Sequence, residues 1–166
     1  FMAAATDPDG NPAGACFAAP VDGQATTSCT IGSLRNGVAY RVGVVAQNAV
    51  GTSPATTAGP VAPVDVPSSP TWASASAGVR SARIAWTAAT AQGTPVTGYQ
   101  VVASPGDAAC TTSQTSCTIN GLSSSTTYTF SVRATSAAGL SLAATTSTSG
   151  ILDAPLGVTG LSVIAQ

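Results

Sequence analysis

The stretch Leu122-Ser123-Ser124-Ser125-Thr126-Thr127-Tyr128-Thr129-Phe130-Ser131-Val132-Arg133-Ala134 carries the clearest structural pattern in the chain. From Tyr128 onward apolar and polar residues alternate. Tyr128, Phe130, Val132 and Ala134 share one face, and Thr129, Ser131 and Arg133 the other, which is the period-two pattern of a half-buried β-strand. The run has a twin 88 residues earlier, where Leu34 precedes Tyr40-Arg41-Val42-Gly43-Val44-Val45-Ala46 with Tyr40, Val42, Val44 and Ala46 on one face. The same offset carries Cys29-Thr30-Ile31 onto Cys117-Thr118-Ile119 without gaps. It also carries Ala49-Val50-Gly51 onto Ala137-Ala138-Gly139, and Asp65 and Pro67 onto Asp153 and Pro155. A period this long is a whole small β domain, not one turn of a solenoid.

Upstream, Ala82-Arg83-Ile84-Ala85-Trp86 points Ile84 and Trp86 one way and Arg83 the other, and Gly98-Tyr99-Gln100-Val101-Val102 turns Tyr99 and Val101 inward. Turn chemistry lies between the strands, in Gln92-Gly93-Thr94-Pro95, Ser104-Pro105-Gly106-Asp107 and Asn120-Gly121. Composition agrees with an all-β chain. Ala, Ser and Thr dominate, Gly and Pro are frequent, and the helix formers Lys and Glu are absent.

Charge is sparse. All five basic residues are arginine, all six acids are aspartate, histidine is absent, and the net charge is −1. No imidazole is available as a general base or metal ligand. Nucleic acid is excluded as a partner on the same count, because phosphate binding rests on many cations. The longest weakly apolar run, Ile151–Ala165, is broken by Asp153 and Pro155 and falls short of the ~20 residues of a membrane helix. No membrane insertion and no signal peptide is expected in this segment. The opening Phe1-Met2-Ala3 reads as a fragment or a processed product.

The four cysteines fall into two local pairs, Cys16/Cys29 and Cys110/Cys117. Neither is a C-x-x-C, and no cation stands by to lower a thiol pKa. Two structural disulfides, and with them an extracellular or cell-surface location, are the expectation.

Trp86, then Gly98-Tyr99, then Leu122 six residues before Tyr128, then the Ala137-Ala138-Gly139 loop together resemble a fibronectin type III domain. The first copy keeps Leu34 six residues before Tyr40 and the loop Gln47-Asn48-Ala49-Val50-Gly51. The resemblance implies tandem immunoglobulin-like β-sandwiches, with strands A, B and E in one sheet and C, C′, F and G in the other. It implies a tyrosine corner at Tyr40 and Tyr128, structural roles for Leu34, Leu122 and Trp86, and cystines joining C′ to E. It covers the chain unevenly. Residues 66–152 match a complete domain. Residues 1–61 match only strands C to G, with Phe1 in the place of Tyr99. Residues 153–166 match the first strand of a third domain. The strands missing from the first copy come either from sequence outside these residues or from a neighbouring copy.

No catalytic residue and no cofactor is expected. The loop Asp7-Pro8-Asp9-Gly10-Asn11 is a weak calcium candidate through Asp7, Asp9 and Asn11, set against a plain β-turn between C and C′. No G-x-S-x-G elbow occurs, and Gly139-Leu140-Ser141-Leu142-Ala143 is a near miss in the F–G loop. Trp72 is assigned to a domain joint or a core, with stacking on a sugar as the alternative. The expected partners are neighbouring domains or further copies of the chain, with surface carbohydrate as an additional one. The expected role is a non-catalytic extracellular structural repeat in a fibre, stalk or adhesive coat. A spacer or binding module of a secreted polysaccharide-degrading enzyme and a strand-exchanging filament subunit are the alternatives.

Overall fold

A computed structural model describes residues 1–20, 24, 26–148 and 150–154. The proposed first strand of a third domain lies almost wholly outside the described residues. The chain divides into two compact units, the first Phe1–Val66 with Ala91–Pro95, the second Pro67–Thr90 with Val96–Gln166.

The second unit is a two-sheet sandwich. One sheet runs β5 (Thr71–Gly78), β6 (Ser81–Thr87), β9 (Ser116–Asn120); the other runs β11 (Gly139–Leu140), β10 (Tyr128–Ser136), β7 (Val96–Ser104), β8 (Ala109–Thr112), with β12 (Ala144–Thr148) also paired to β10. In the lettering of the expected fold these are A-B-E against C′-C-F-G. Every ladder is antiparallel. The alternation read from the sequence is the burial pattern. Ala82, Ile84 and Trp86 from β6 meet Tyr99, Val101 and Ala103 from β7 and Phe130, Val132 and Ala134 from β10, with Ile119, Leu122 and Tyr128 closing the core. Trp86 and Tyr99 lie with ring centroids 5.2 Å apart and planes tilted by 60°, the offset geometry aromatic pairs prefer. After β12 the chain returns to the core at Ile151, which is buried. It then forms a parallel bridge from Leu152 to Val79 in the turn between β5 and β6.

The first unit is one sheet in the order β2 (Pro12–Phe17), β1 (Met2–Thr6), β3 (Tyr40–Val45), β4 (Thr56–Val61). This is the C′-C-F-G order again. Ala3 pairs with Val44 as Val101 pairs with Val132, and Ala5 with Val42 as Ala103 with Phe130. The alternation in β3 therefore marks an inner face, but that face is only partly buried. Val44 is 38% exposed where its counterpart Val132 is 0%. The physical reason is that no second sheet covers it among the described residues, and Ser28–Gly32, the counterpart of β9, is not in a ladder.

Candidate functional site

The features that carry information are structural anchors, one turn, one exposed aromatic and one groove. The anchors come first. Cys110 in β8 and Cys117 in β9 are bonded across the two sheets, with Cα atoms 6.6 Å apart. Cys16 in β2 is bonded to Cys29, with Cα atoms 5.9 Å apart. A bridge here tethers the edge of one sheet to the strand or segment facing it, where backbone hydrogen bonds cannot reach between layers.

The two tyrosines act alike. The Tyr128 hydroxyl accepts from the Ser123 amide at 3.1 Å, and the Tyr40 hydroxyl from the Arg35 amide at 3.0 Å. Each closes the crossing that begins at Leu122 or Leu34. Leu122 is buried, whereas Leu34 is half-buried at the rim of the open face. Trp86 is buried, and its indole Nε1 has no hydrogen-bond partner among the described residues.

The loop joining β1 to β2 turns its polar groups on itself. Asp7 Oδ1 accepts from the amides of Asp9 at 3.0 Å and Asn11 at 2.8 Å, while Asp7 Oδ2 accepts from Asn11 Nδ2 at 3.1 Å. The Asn11 side chain, followed by its amide, holds the Asp7 carboxyl below its ordinary pKa, with smaller help from the amides of Asp9 and Gly10 against a slight desolvation. Amide donors converge on the carboxylate, the reverse of a cation site, where oxygens converge on a vacancy. Among the described residues no group of three metal-ligating side chains occurs.

Trp72 stands 87% exposed. It takes a left-handed φ of 52° within the register shift between Thr71 and Ser74, so the ladder skips it. Among the described residues it is packed in no core, and no ring contact involves it. The groove lies on the inner face of the first unit. It has a volume of about 570 Å³ and is walled by Phe1, Ala3, Cys29, Ile31, Val42 and Val44.

Three groups have hydrogen-bond roles that the residue pattern does not state. Ser141 is buried, and its hydroxyl accepts from the Ala134 amide at 2.9 Å and donates to the Leu142 carbonyl at 2.7 Å. The Tyr99 hydroxyl accepts from the Ala89 amide at 3.1 Å. Arg80, at φ 48°, links two segments through its backbone. Serine and arginine in Gly-rich turns give no periodic signal, and only the Tyr99 alternation pointed inward at all. No helix of the described residues is long and apolar enough to cross a membrane.

Comparison with known proteins gives the chain a place. Residues 68–150, half of the chain, match the fibronectin type III domain model, a non-catalytic module. Chitinase A1 of Niallia circulans is 38% identical over 136 residues, spanning 76% of this chain and 19% of that protein. Among solved structures, a two-domain fibronectin type III segment of chicken tenascin has a TM-score of 0.49 at 22% identity, covering 89% of this chain and 82% of that one. Chitinase ChiA74 from Bacillus thuringiensis has a TM-score of 0.49 at 29% identity, covering 56% of this chain and 15% of that one. The chain belongs to the fibronectin type III domain family.

Proposed function

We propose that this chain is a non-catalytic spacer, built from tandem fibronectin type III domains, in a secreted polysaccharide-degrading enzyme. One observation carries the reading. The likeness to chitinase A1 runs over 136 residues, further than one 88-residue repeat, which supports a tandem arrangement over a lone domain. The two cystines support an oxidising, extracellular setting. A fibre, stalk or coat would rest on the same stapled sandwiches.

A spacer acts through reach and stiffness, which set the effective concentration of one attached module near the other's target. The test is replacement of these residues in the full-length polypeptide by a Gly/Ser linker of equal reach. Turnover of insoluble polysaccharide should fall while turnover of soluble oligosaccharide is unchanged. Equal activity on both substrates would end the spacer reading.

We also read the first unit as strands C to G of such a domain, its groove being the seat of an A–B strand pair. Support comes from the second unit. There β6 supplies Ala82, Ile84 and Trp86 to the equivalent face, and Ile84 and Ala82 pair with Cys117 and Ile119, the counterparts of Cys29 and Ile31. Fusing a copy of residues 67–98 ahead of Phe1 should slow amide exchange at Val42 and Val44. Unchanged exchange would count against the seat.

A further inference from the structure

After β12 the chain does not run off the end of the sandwich. Ile151 drops into the core. The Leu152 amide then donates to the Gly78 carbonyl at 3.0 Å, and the Arg80 amide donates to the Leu152 carbonyl at 2.7 Å. The Arg80 carbonyl in turn accepts from the Leu122 amide at 3.0 Å. One residue further, the Ser124 hydroxyl donates to Asp153 Oδ2 at 2.5 Å. Three segments far apart in sequence thus meet at one end of the unit: the β5–β6 turn, the crossing from β9 to β10, and Ile151-Leu152-Asp153. Arg80 sits between them in a left-handed conformation that a non-glycine residue holds only when its surroundings fix it.

We propose that Ile151-Leu152-Asp153 is a strap that fixes where the polypeptide leaves the sandwich, and that the Ser124–Asp153 hydrogen bond is its latch. Without the strap the exit would be the frayed end of β12, an edge strand whose departure point shifts as terminal pairs open. With it, the chain leaves from a point tied to the core through Ile151 and to the β5–β6 turn through two backbone hydrogen bonds. Tension on the chain beyond Asp153 then meets the strap before it reaches the β10–β12 ladder. Gly150, at φ 75°, gives the backbone its turn from β12 toward the strap. The strap stands whatever the larger protein does. Its use, a joint of defined direction between modules, rests on the spacer reading, and the test below does not.

The experiment is amide hydrogen exchange, residue by residue, on the full 166-residue chain and on Ser124→Ala and Asp153→Ala variants. Both substitutions are at the surface and remove no core contact. Exchange at Leu152 and Arg80 should quicken about tenfold in each variant, the scale of losing one charge-assisted hydrogen bond, while Val101 and Val132 keep their rates. A Leu152→Pro chain, which lacks the donor to Gly78, should show the same local loss at Arg80. Unchanged rates at Leu152 and Arg80 would overturn the latch. An equal rise at Val101 and Val132 would overturn it too, because the pair would then belong to global stability and not to a local strap.

Discussion

The hydroxyl of Tyr128 holds the amide of Ser123 at 3.1 Å, five residues back along the chain. The bond pins the crossing between sheets to the strand it feeds. Tyr128 is buried, so water cannot freely take the place of the lost hydroxyl. Tyr128→Phe keeps the ring and strands the amide, at a cost of about 1–3 kcal/mol. A thermal melt of the second unit should show a lower Tm with unchanged strand content. An unaltered Tm would mean that the amide finds water and the corner is decorative.

Ser141 makes a second, independent prediction. Its buried hydroxyl bridges the Ala134 amide and the Leu142 carbonyl, and the Arg133 guanidinium donates to the Ser141 carbonyl at 2.9 Å. The β10–β11 corner is built on these contacts. Ser141→Ala should cost about 1–3 kcal/mol, and Ser141→Cys, similar in shape but a weak donor, should recover only part of it. Denaturant melts of the two variants measure the order, and equal stability of all three chains would refute the assignment.

What could be read in advance depended on whether side-chain pattern or backbone geometry carries the feature. Tyr128-Thr129-Phe130-Ser131-Val132 states its buried face outright, because a strand packed on one side must alternate. The 88-residue register likewise placed both tyrosines, both leucines and the second cysteine of each pair. Ile151 and Leu152 gave no such signal. The partners of Leu152, Gly78 and Arg80, are backbone groups some seventy residues away, and backbone hydrogen bonds leave no mark on residue type. Trp72 was ambiguous for a different reason. A large aromatic at the start of a strand reads as core or joint, and only the register shift at Thr71/Ser74 reveals that the ladder passes it by. The groove of the first unit was legible as missing strands, and two of its walls, Val42 and Val44, followed from the alternation in β3.

Asp7 gives the pH dependence. Hydrogen bonds from the Asn11 side chain and amide hold its carboxyl below the ordinary carboxylate range. A depressed folded pKa means that the turn is favoured when Asp7 is ionised. Its contribution is full above the unfolded pKa and is lost as pH falls through the lower, folded one. The β1–β2 turn should therefore loosen as pH falls from the range where a free aspartate titrates through the lower, folded pKa. Asp7→Asn should abolish the acid step while leaving the neutral-pH turn nearly intact. Carboxyl NMR titration measures the midpoint directly, and a midpoint at or above the ordinary aspartate value would contradict the geometry.

The two cystines should differ in what they protect. By loop-closure entropy the separation of 7 residues between Cys110 and Cys117 is worth about 2.5 kcal/mol, and the separation of 13 between Cys16 and Cys29 about 3 kcal/mol. The local consequence diverges more than those figures do. Cys117 lies in β9, which is laddered to β6 along five residue pairs, so reducing Cys110–Cys117 leaves β9 in its sheet. Cys29 lies in a segment outside any ladder, and the bridge to Cys16 is the covalent tie that holds this segment beside the open face. Cys16→Ser with Cys29→Ser should therefore release residues 26–32 to rapid proteolysis while β1–β4 persist. Cys110→Ser with Cys117→Ser should lower the Tm of the second unit without exposing β9. Limited proteolysis of the two double variants separates the cases. Equal resistance of residues 26–32 with and without the first bridge would show that packing, not the cystine, keeps that segment in place.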